Sequence, residues 1–157
     1  MGSAERVAEF LSMSGVEYEI REFGASTKNS ALAAQVLGCT VPEIAKSVVF
    51  VGDMTAVVVL SGDRRVSPTK MEKFIGSGAR VAKADEVKAR TGYSIGGVPP
   101  FPHGEGTLVL PDSSLTRFSK VWAAAGTPSS VFRIRTGDLI RLVGRGPQAL
   151  SIDVEQL

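Results

Sequence analysis

One lysine stands where a buried strand is expected to begin. Lys46 follows residues 40–43, whose Thr, Pro and Glu have the spacing of a helix-start capping box, and it precedes the β-prone residues 47–51. Because side chains alternate along a strand, Lys46, Val48 and Phe50 share one apolar face if the strand includes Lys46. A lysine on such a face can be partly desolvated and used for binding or catalysis, or it can extend its ammonium group to water at the strand end. The sequence leaves both interpretations open.

A stiff loop is the second candidate for chemistry. Residues 96–104 combine the adjacent Gly96 and Gly97 with three prolines, which excludes a helix interior or a central strand. Glycines let a backbone approach a ligand closely, and exposed N–H groups there could bind a carbonyl or a phosphate. The alternative is a rigid structural turn. The segment has neither the P-loop pattern nor a dinucleotide-binding fingerprint.

Histidine and cysteine offer little further chemistry. His103 beside Glu105 could act as a general base, or it could be an ordinary surface residue of the loop. Cys39 is expected to be a small buried hydrophobe after the helix stop at Gly38. With one Cys and one His in the chain, disulfide frameworks, cysteine-rich zinc modules and multi-histidine metal sites are excluded. Carboxylate metal sites stay open on composition alone, and we predict no metal site and no cofactor.

Composition indicates one soluble globular domain over residues 1–157, because 43% of the residues are hydrophobic and 22% are charged. The longest apolar stretches run to about five residues, whereas a membrane-spanning helix needs about 20. Glu5 and Glu9 interrupt the N-terminal region where a secretion signal would be apolar, so we expect a cytoplasmic location. The net charge of +2 hides a basic segment at residues 63–90, with eight basic and four acidic residues. That segment is either a solvated face or a surface for an acidic partner.

The elements that must position these residues alternate irregularly between helix and strand. We predict a first helix ending at Gly15, a half-buried strand through Val16, Tyr18 and Ile20, and a second helix capped by Ser26 or Thr27. Further elements are strands at 47–51 and 55–60 joined as a central hairpin, a polar turn at 61–65, a helix from Pro68, a strand at 80–82, a helix at 85–90, strands at 108–110 and 131–134, and a helix from Thr136. Residues 118–125 fit a helix or a strand. The fold class is α/β.

The order of these features resembles a known family. The matching segments are 33–38 (AAQVLG), 44–50 (IAKSVVF), 58–66 (VVLSGDRRV) and 91–101 (TGYSIGGVPPF). Together they are similar to the YbaK and prolyl-tRNA-synthetase-associated domain family, whose members are editing deacylases for mischarged tRNA. The resemblance implies a single domain with a mixed, strongly curved, barrel-like sheet packed with helices, and it makes 120–124 a strand.

The resemblance also implies site residues. Lys46 corresponds to the active-site lysine of the family, and residues 96–100 correspond to its Gly-x-x-x-Pro loop, which makes Gly96, Gly97 and Pro100 catalytic candidates. We expect substrate contacts from seven further residues: Ser26, Thr27, Val48, Phe50, Tyr93, Val98 and Pro99. Basic side chains that could meet the tRNA acceptor stem are Arg64, Arg65, Lys70 and Lys73.

The implied activity is hydrolysis of the ester between a wrong amino acid and tRNA, carried out in trans. Cys- or Ala-tRNA(Pro) is the expected substrate, tRNA the partner, and a prolyl-tRNA synthetase a possible second partner. Pro99, Pro102 and Ile95 depart from the residues of many family members, at positions that border the expected pocket. Two other functions stay open: a lysine enzyme that forms a Schiff base, and a non-catalytic module that binds tRNA or a nucleotide.

Overall fold

The computed structural model describes residues 1–24 and 29–153. Within them the helices are α1 (Ser3–Met13), α2 (Ser30–Leu37), α3 (Pro68–Ile75), α4 (Ala84–Thr91) and α5 (Thr136–Val143). The strands are β1 (Tyr18–Glu22), β2 (Ile44–Val51), β3 (Thr55–Ser61), β4 (Arg64–Val66), β5 (Arg80–Val81), β6 (Thr107–Pro111), β7 (Lys120–Ala124), β8 (Ser130–Arg135) and β9 (Ser151–Asp153). Short 3-10 turns occupy Val41–Glu43 and Ser113–Arg117. None of the described helices is long and apolar enough to cross a membrane.

The β2–β3 hairpin forms the centre of the sheet, as its sequence predicts. β-branched residues suit a pleated surface, and Val48 pairs with Val58 while Val49 pairs with Val57. Every residue of β3 is buried. Strands that are apolar on both faces must be covered on both faces, so this hairpin receives helices from two sides.

The main sheet has the order β1-β8-β7-β2-β3-β6 and mixes parallel with antiparallel pairs. β7 joins β2 in parallel, and β6 joins β3 in parallel. In the pairings of the described strands, β1 and β6 are the two edges, so the sheet is open. The expectation of a mixed α/β sheet is confirmed, but the barrel-like closure is not present.

One edge of β2 is interrupted. β7 pairs only with Ile44 and Ala45, and β5 pairs only with Phe50 and Val51, while β3 accompanies β2 along its other edge. The Ala82 amide donates to the Val49 carbonyl at 2.8 Å. Backbone groups alternate in direction along a strand, so the N–H and C=O of Ser47 face the same interrupted edge. The sheet therefore opens beside Lys46.

Three apolar clusters hold the layers together. The largest contains Val7 and Leu11, which are one helical turn apart on α1, together with Val49, Phe132 and Leu139. A second cluster packs α3 against the other face of the hairpin, and a third packs α2 against β7 and β8. Helices on both faces thus fix the hairpin while leaving the interruption in β2 uncovered by a strand.

Several sequence predictions are wrong or resolved by this packing. Residues 118–125 contain a strand, because Trp122 pairs with Ile44 of β2 and with Arg133 of β8. The polar turn predicted at 61–65 is shorter, since Arg64–Val66 pair with Ser151–Asp153. β1 is exposed along its whole length rather than half-buried, because it is an edge strand beyond the reach of α2.

The start of α2 also differs from the prediction. Asn29 is its N-cap, and the side chain of Asn29 accepts a hydrogen bond from the Leu32 amide at 2.9 Å. Ser26 and Thr27, predicted as the cap and as substrate contacts, lie outside the described residues, so their contacts stay a prediction. Gly38 ends the helix in a left-handed conformation, as predicted.

Candidate functional site

The interrupted edge of β2 opens into a cavity of about 520 Å³. Its walls come from β2, the first turn of α2, β7, and the loop that contains Gly96 and Val98. Val49, Ala82 and Val98 make its inner part apolar. A cavity of this size accommodates a small ligand, and an apolar wall with a few polar groups is typical of a binding site.

Lys46 is the charged residue in this wall. Its Nζ donates to the Gly62 carbonyl at 3.4 Å, a long hydrogen bond. Burial lowers the pKa of Lys46, and the nearby Asp63 carboxylate only partly opposes this effect. Asp63 itself receives two hydrogen bonds from Arg117, at 2.7 and 3.0 Å. Within the described residues, the Lys46 ammonium therefore retains donor capacity that a ligand in the cavity can use.

The carbonyl that Lys46 contacts is held in place by tight packing. A Cβ atom at Gly62 would lie 2.5 Å from the Val41 carbonyl oxygen and 2.9 Å from Ser30 Cβ. Only glycine allows the turn after β3 to approach α2 this closely. The same packing brings the first turn of α2 to the cavity wall beside Lys46.

The loop predicted from its glycines and prolines contributes Gly96 and Val98 to the cavity wall. The Gly97 amide donates to the Ser94 carbonyl at 2.9 Å, which closes a β-turn with Gly96 at its third position and a φ of +86°. A Cβ atom at Gly97 would lie 2.7 Å from the backbone of Thr127. The two glycines thus serve different needs: Gly96 allows the turn, and Gly97 allows the close contact.

The loop offers fewer free amides than its length suggests. Pro99 and Pro100 have no N–H, and the Gly97 amide is engaged in the turn. Among the hydrogen bonds of the described chain, none uses the amides of Gly96 or Val98, and both residues line the cavity. These two N–H groups are the donors that the loop can direct at a ligand.

The structure separates the predicted substrate contacts into two groups. Val48 and Val98 line the cavity, together with Lys46 and Gly96. Phe50 and Tyr93 do not line it, so their contact with substrate stays a prediction. Phe50 is 1% exposed and packs with Met71 and Ile75 under α3, because the face it shares with Lys46 is covered there.

The remaining loop residues lie behind the wall. Tyr93 is fully buried, and its hydroxyl donates to the Pro102 carbonyl at 2.9 Å. The Pro99 carbonyl points to His103 Nε2 at 2.7 Å. Pro100 borders a different cavity, which Lys46 does not line. These residues shape the loop and are not part of the cavity wall.

The four basic residues proposed for tRNA do not line the cavity. Arg64 is on β4, two residues after Gly62, and its Nε donates to Ser151 Oγ at 3.3 Å. Arg65 is exposed on the same strand, and Lys70 and Lys73 are exposed on α3. Their binding of tRNA stays a prediction, for a surface beyond the turn that Lys46 contacts.

Other residues of the site were not predicted from the sequence. Trp122 lines the cavity, and the guanidinium groups of Arg21 and Arg133 lie 5.0 and 5.7 Å from its ring centroid. The apolar pattern around Trp122 in the sequence is compatible with a strand, but it fits a helix equally well, so it did not identify Trp122 as a cavity residue. Asn29 and Ser30 also line the cavity, and nothing in their types indicates it.

His103 and Cys39 take other roles from those considered. His103 is half-buried and borders a different cavity from the one that contains Lys46, so it is not placed to act as a base there. Cys39 is half-buried at the end of α2, and burial raises the pKa of its thiol. The described residues include no group of three or more His, Cys, Asp or Glu side chains that could hold a metal.

Comparison with known proteins agrees with this geometry. The model of the aminoacyl-tRNA editing domain matches residues 25–142. YwhH of Bacillus subtilis (strain 168), which is uncharacterized, is 34% identical over 125 residues, which are 78% of this chain and 80% of YwhH. A solved structure described as a candidate trans-editing enzyme for prolyl-tRNA synthetase is 36% identical and has a TM-score of 0.86, over 97% of this chain and 98% of that one.

The hypothetical protein APE2540 also has this fold, with a TM-score of 0.86 and 27% identity over 94% of this chain and 99% of its own. The part of this chain that the family model matches contains Lys46 and the whole of the glycine-proline loop. The chain belongs to the aminoacyl-tRNA editing domain family.

Proposed function

We propose that this protein is a free-standing aminoacyl-tRNA deacylase that hydrolyses mischarged tRNA in trans. The observation that carries the proposal is the arrangement of the cavity in a member of the editing family. One wall holds the Lys46 ammonium, whose contact in the described structure is a single 3.4 Å hydrogen bond to Gly62. Gly96 and Val98 line the same cavity, and their amides make no hydrogen bond within the described part of the chain. An ester group with its adjoining phosphate needs donors of these kinds.

The aminoacyl ester would lie between Lys46 and the loop that carries Gly96 and Val98. Water adds to the carbonyl carbon, negative charge develops on the carbonyl oxygen, and the bond from that carbon to the ribose oxygen breaks. The loop amides would stabilise the developing charge, and Lys46 would hold the terminal phosphate or the amino-acid end. The products are the free amino acid and tRNA with its ribose hydroxyl restored.

The proton of the attacking water needs an acceptor. The described wall contains no His, Asp or Glu, and Lys46 is its titratable group. The substrate can supply the relay, because the vicinal ribose hydroxyl lies next to both the attacked carbon and the leaving oxygen. For a cysteinyl group, the substrate thiol is a second candidate.

Selection of the amino acid would follow from the size of the cavity. Its inner wall is made of short apolar side chains, including Val49, Ala82 and Val98. A pocket that admits a small side chain excludes a bulky one, which is the second sieve that synthetases need when binding alone discriminates weakly. We propose Cys- or Ala-tRNA(Pro) as the substrate, which makes a prolyl-tRNA synthetase the enzyme whose errors are corrected.

The test is a panel of tRNA(Pro) and other tRNAs, each charged with Ala, Cys, Ser or Pro. We expect the wild-type protein to release Ala or Cys from tRNA(Pro) faster than it releases Pro. Turnover of a cognate pair at the same rate would contradict the size filter. Binding to tRNA that weakens with salt, without turnover on any member of the panel, would replace the proposal with the non-catalytic binding module.

The lowered pKa of Lys46 favours one other candidate, a lysine enzyme that forms a Schiff base with a small carbonyl compound. A less protonated amine is a better nucleophile, and the cavity would exclude water from the adduct. Borohydride reduction in the presence of small aldehydes and ketones, followed by mass spectrometry, would detect a modified Lys46. Its absence rejects this candidate and leaves the deacylase untouched.

A further inference from the structure

We propose that His103 is a positioning residue, which sets the orientation of the cavity-lining part of the 96–100 loop through a hydrogen bond to the Pro99 carbonyl. This inference rests on the proposed deacylase function. His103 does not touch the cavity that contains Lys46, and it would act through the loop alone. It is the one histidine of the chain.

The hydrogen bond assigns the tautomer of the ring. His103 Nε2 lies 2.7 Å from the Pro99 carbonyl oxygen. A carbonyl only accepts, so Nε2 carries the hydrogen and Nδ1 carries the lone pair of the neutral ring. Nδ1 is buried and has no hydrogen-bond partner among the described residues. Neither nitrogen is therefore available as a proton acceptor for substrate.

The ring is held by its neighbours. The Tyr93 ring meets it edge to face, with centroids 5.5 Å apart and an interplanar angle of 77°. Tyr93 is in turn fixed by its hydrogen bond to the Pro102 carbonyl and by the Arg6 guanidinium, 4.8 Å from its ring centroid. Burial lowers the pKa of His103, the hydrogen bond to Pro99 opposes this shift, and Arg6 adds a smaller lowering, so the net shift favours the neutral ring.

Two fixed points then flank Val98. On one side the backbone of Thr127 confines Gly97, where a Cβ atom would come within 2.7 Å. On the other side His103 holds the carbonyl of Pro99. The peptide planes between these points carry the Val98 amide, and Val98 lines the cavity. Loss of the His103 hydrogen bond frees one end of this short segment.

Three substitutions separate the hydrogen bond from the volume of the ring. His103→Phe keeps the ring and its packing but removes the donor. His103→Gln places an amide N–H at the distance of Nε2 from the backbone, and His103→Asn places it at the distance of Nδ1. The experiment measures kcat and KM for the mischarged tRNA that the wild-type protein hydrolyses best, together with the Tm of each variant.

We expect His103→Phe and His103→Asn to lower kcat about tenfold with little change in KM, which corresponds to one lost hydrogen bond of about 1.4 kcal/mol. His103→Gln should stay within about threefold of the wild-type kcat. Equal kcat values in the Phe and Gln variants, or a kcat that follows Tm across the three variants, would overturn the positioning role.

A measurement on the wild-type protein keeps the inference testable if a variant does not fold. Nitrogen-15 NMR of His103 should show a neutral ring protonated at Nε2, and a ring protonated at Nδ1 would overturn the proposal. This measurement also separates the two proposals. If the wild-type protein hydrolyses no mischarged tRNA, the deacylase function is refuted. The tautomer of His103 and the amide signals of Gly96 and Val98 still report whether the hydrogen bond from His103 to the Pro99 carbonyl is present.

Discussion

Two charged side chains lie within the same sheet and differ in how the chain satisfies them. Asp112, just after β6, is fully buried and accepts hydrogen bonds from the Ser114 amide at 3.0 Å, the Leu150 amide at 2.8 Å and Ser151 Oγ at 2.7 Å. Lys46, on β2, has one hydrogen bond of 3.4 Å to Gly62. Within the described residues, the Asp112 carboxylate therefore accepts three hydrogen bonds, whereas the Lys46 ammonium donates one long hydrogen bond.

The pKa values follow this difference. Burial alone would raise the pKa of Asp112, but hydrogen bonds from Ser114, Ser151 and the Leu150 amide together hold it below its usual value. Burial lowers the pKa of Lys46, and its surroundings do not compensate. A satisfied buried charge stabilises a fold, whereas a charge left short of partners at a cavity is available for a ligand. The comparison therefore indicates a structural role for Asp112, and it supports the proposed functional role of Lys46.

The largest loss of stability should follow removal of the Asp112 charge. Asp112→Asn replaces one acceptor oxygen with a donor that faces another donor, and we expect a loss of about 2–3 kcal/mol, or a Tm lower by about 5–10 °C. Thermal unfolding followed by circular dichroism measures it. Asp138→Asn is the control, since its 3.2 Å ion pair with Arg141 is exposed and should contribute below about 1 kcal/mol. Equal effects would remove the distinction between a satisfied buried charge and a surface pair.

The loss of stability at low pH should depend on the same carboxylate, Asp112. Because the folded pKa of Asp112 is lower than the unfolded one, its contribution is present above the unfolded value and is lost as the pH falls through the folded value. The wild-type protein should therefore lose more stability between about pH 5 and pH 2 than Asp112→Asn does. Parallel stability curves for the two proteins over this range would contradict the assignment.

The next effect concerns the loop that contributes Gly96 and Val98 to the cavity wall. Gly97→Ala brings a Cβ within 2.7 Å of the Thr127 backbone, so the loop must shift. We expect a deacylation rate that is lower by about tenfold, and a free energy of unfolding that is lower by about 1–3 kcal/mol. Gly104→Ala is the matched control, because no atom lies within 4 Å of the added Cβ. Deacylation kinetics at a temperature well below both Tm values separates rate from folding. Full activity in Gly97→Ala would show that the loop can move without harming the site.

A smaller effect is expected from the basic residues outside the cavity. Replacing Arg65, Lys70 and Lys73 with Gln should weaken tRNA binding by several-fold and reduce the salt dependence of log Kd by about one for each phosphate that is no longer neutralised. Filter binding at several salt concentrations measures both. Arg145→Gln, an exposed charge after α5, is the control. An unchanged slope in the triple variant would direct the search for the tRNA surface elsewhere, for example to Arg21 and Arg133 beside Trp122.

The smallest effect is a gain in stability. Lys46→Met removes an ammonium group that burial disfavours and keeps the volume of the side chain, so Tm should be no lower, and up to about 3 °C higher. Since the folded pKa lies below the unfolded one, the penalty applies at neutral pH and vanishes as the pH rises above the unfolded value. A Tm several degrees lower would mean that Lys46 stabilises the fold as Asp112 does.

Strong local patterns made much of the fold predictable. The β2–β3 hairpin followed from two β-branched runs around residues 52–54, and the same pattern placed Lys46 at the entrance of the hairpin. The glycine and proline content marked the loop that lines the same cavity as Lys46. These features are local, so neighbouring residues in the chain carry enough information to define them.

Features that depend on distant contacts were missed. β4 and β9 are short and pair across more than 80 residues of sequence, which no local pattern reveals. The alternation in β1 predicted a buried face, but its place at the sheet edge decides its exposure. Phe50 shares the strand face of Lys46 and yet lies under α3, and the role of His103 depends on the fold of its own loop. Local sequence patterns therefore marked several residues that line the cavity, but not the extent of the cavity.

The central claim is that the incompletely satisfied ammonium of Lys46 serves catalysis, and a single-turnover assay tests it most directly. Alanyl- or cysteinyl-tRNA(Pro) is mixed with excess wild-type protein or Lys46→Ala, and release of the amino acid is followed while the Tm of each preparation is measured. We predict a rate at least about 100-fold lower for Lys46→Ala, with no loss of Tm. An unchanged rate in the folded variant would contradict the claim.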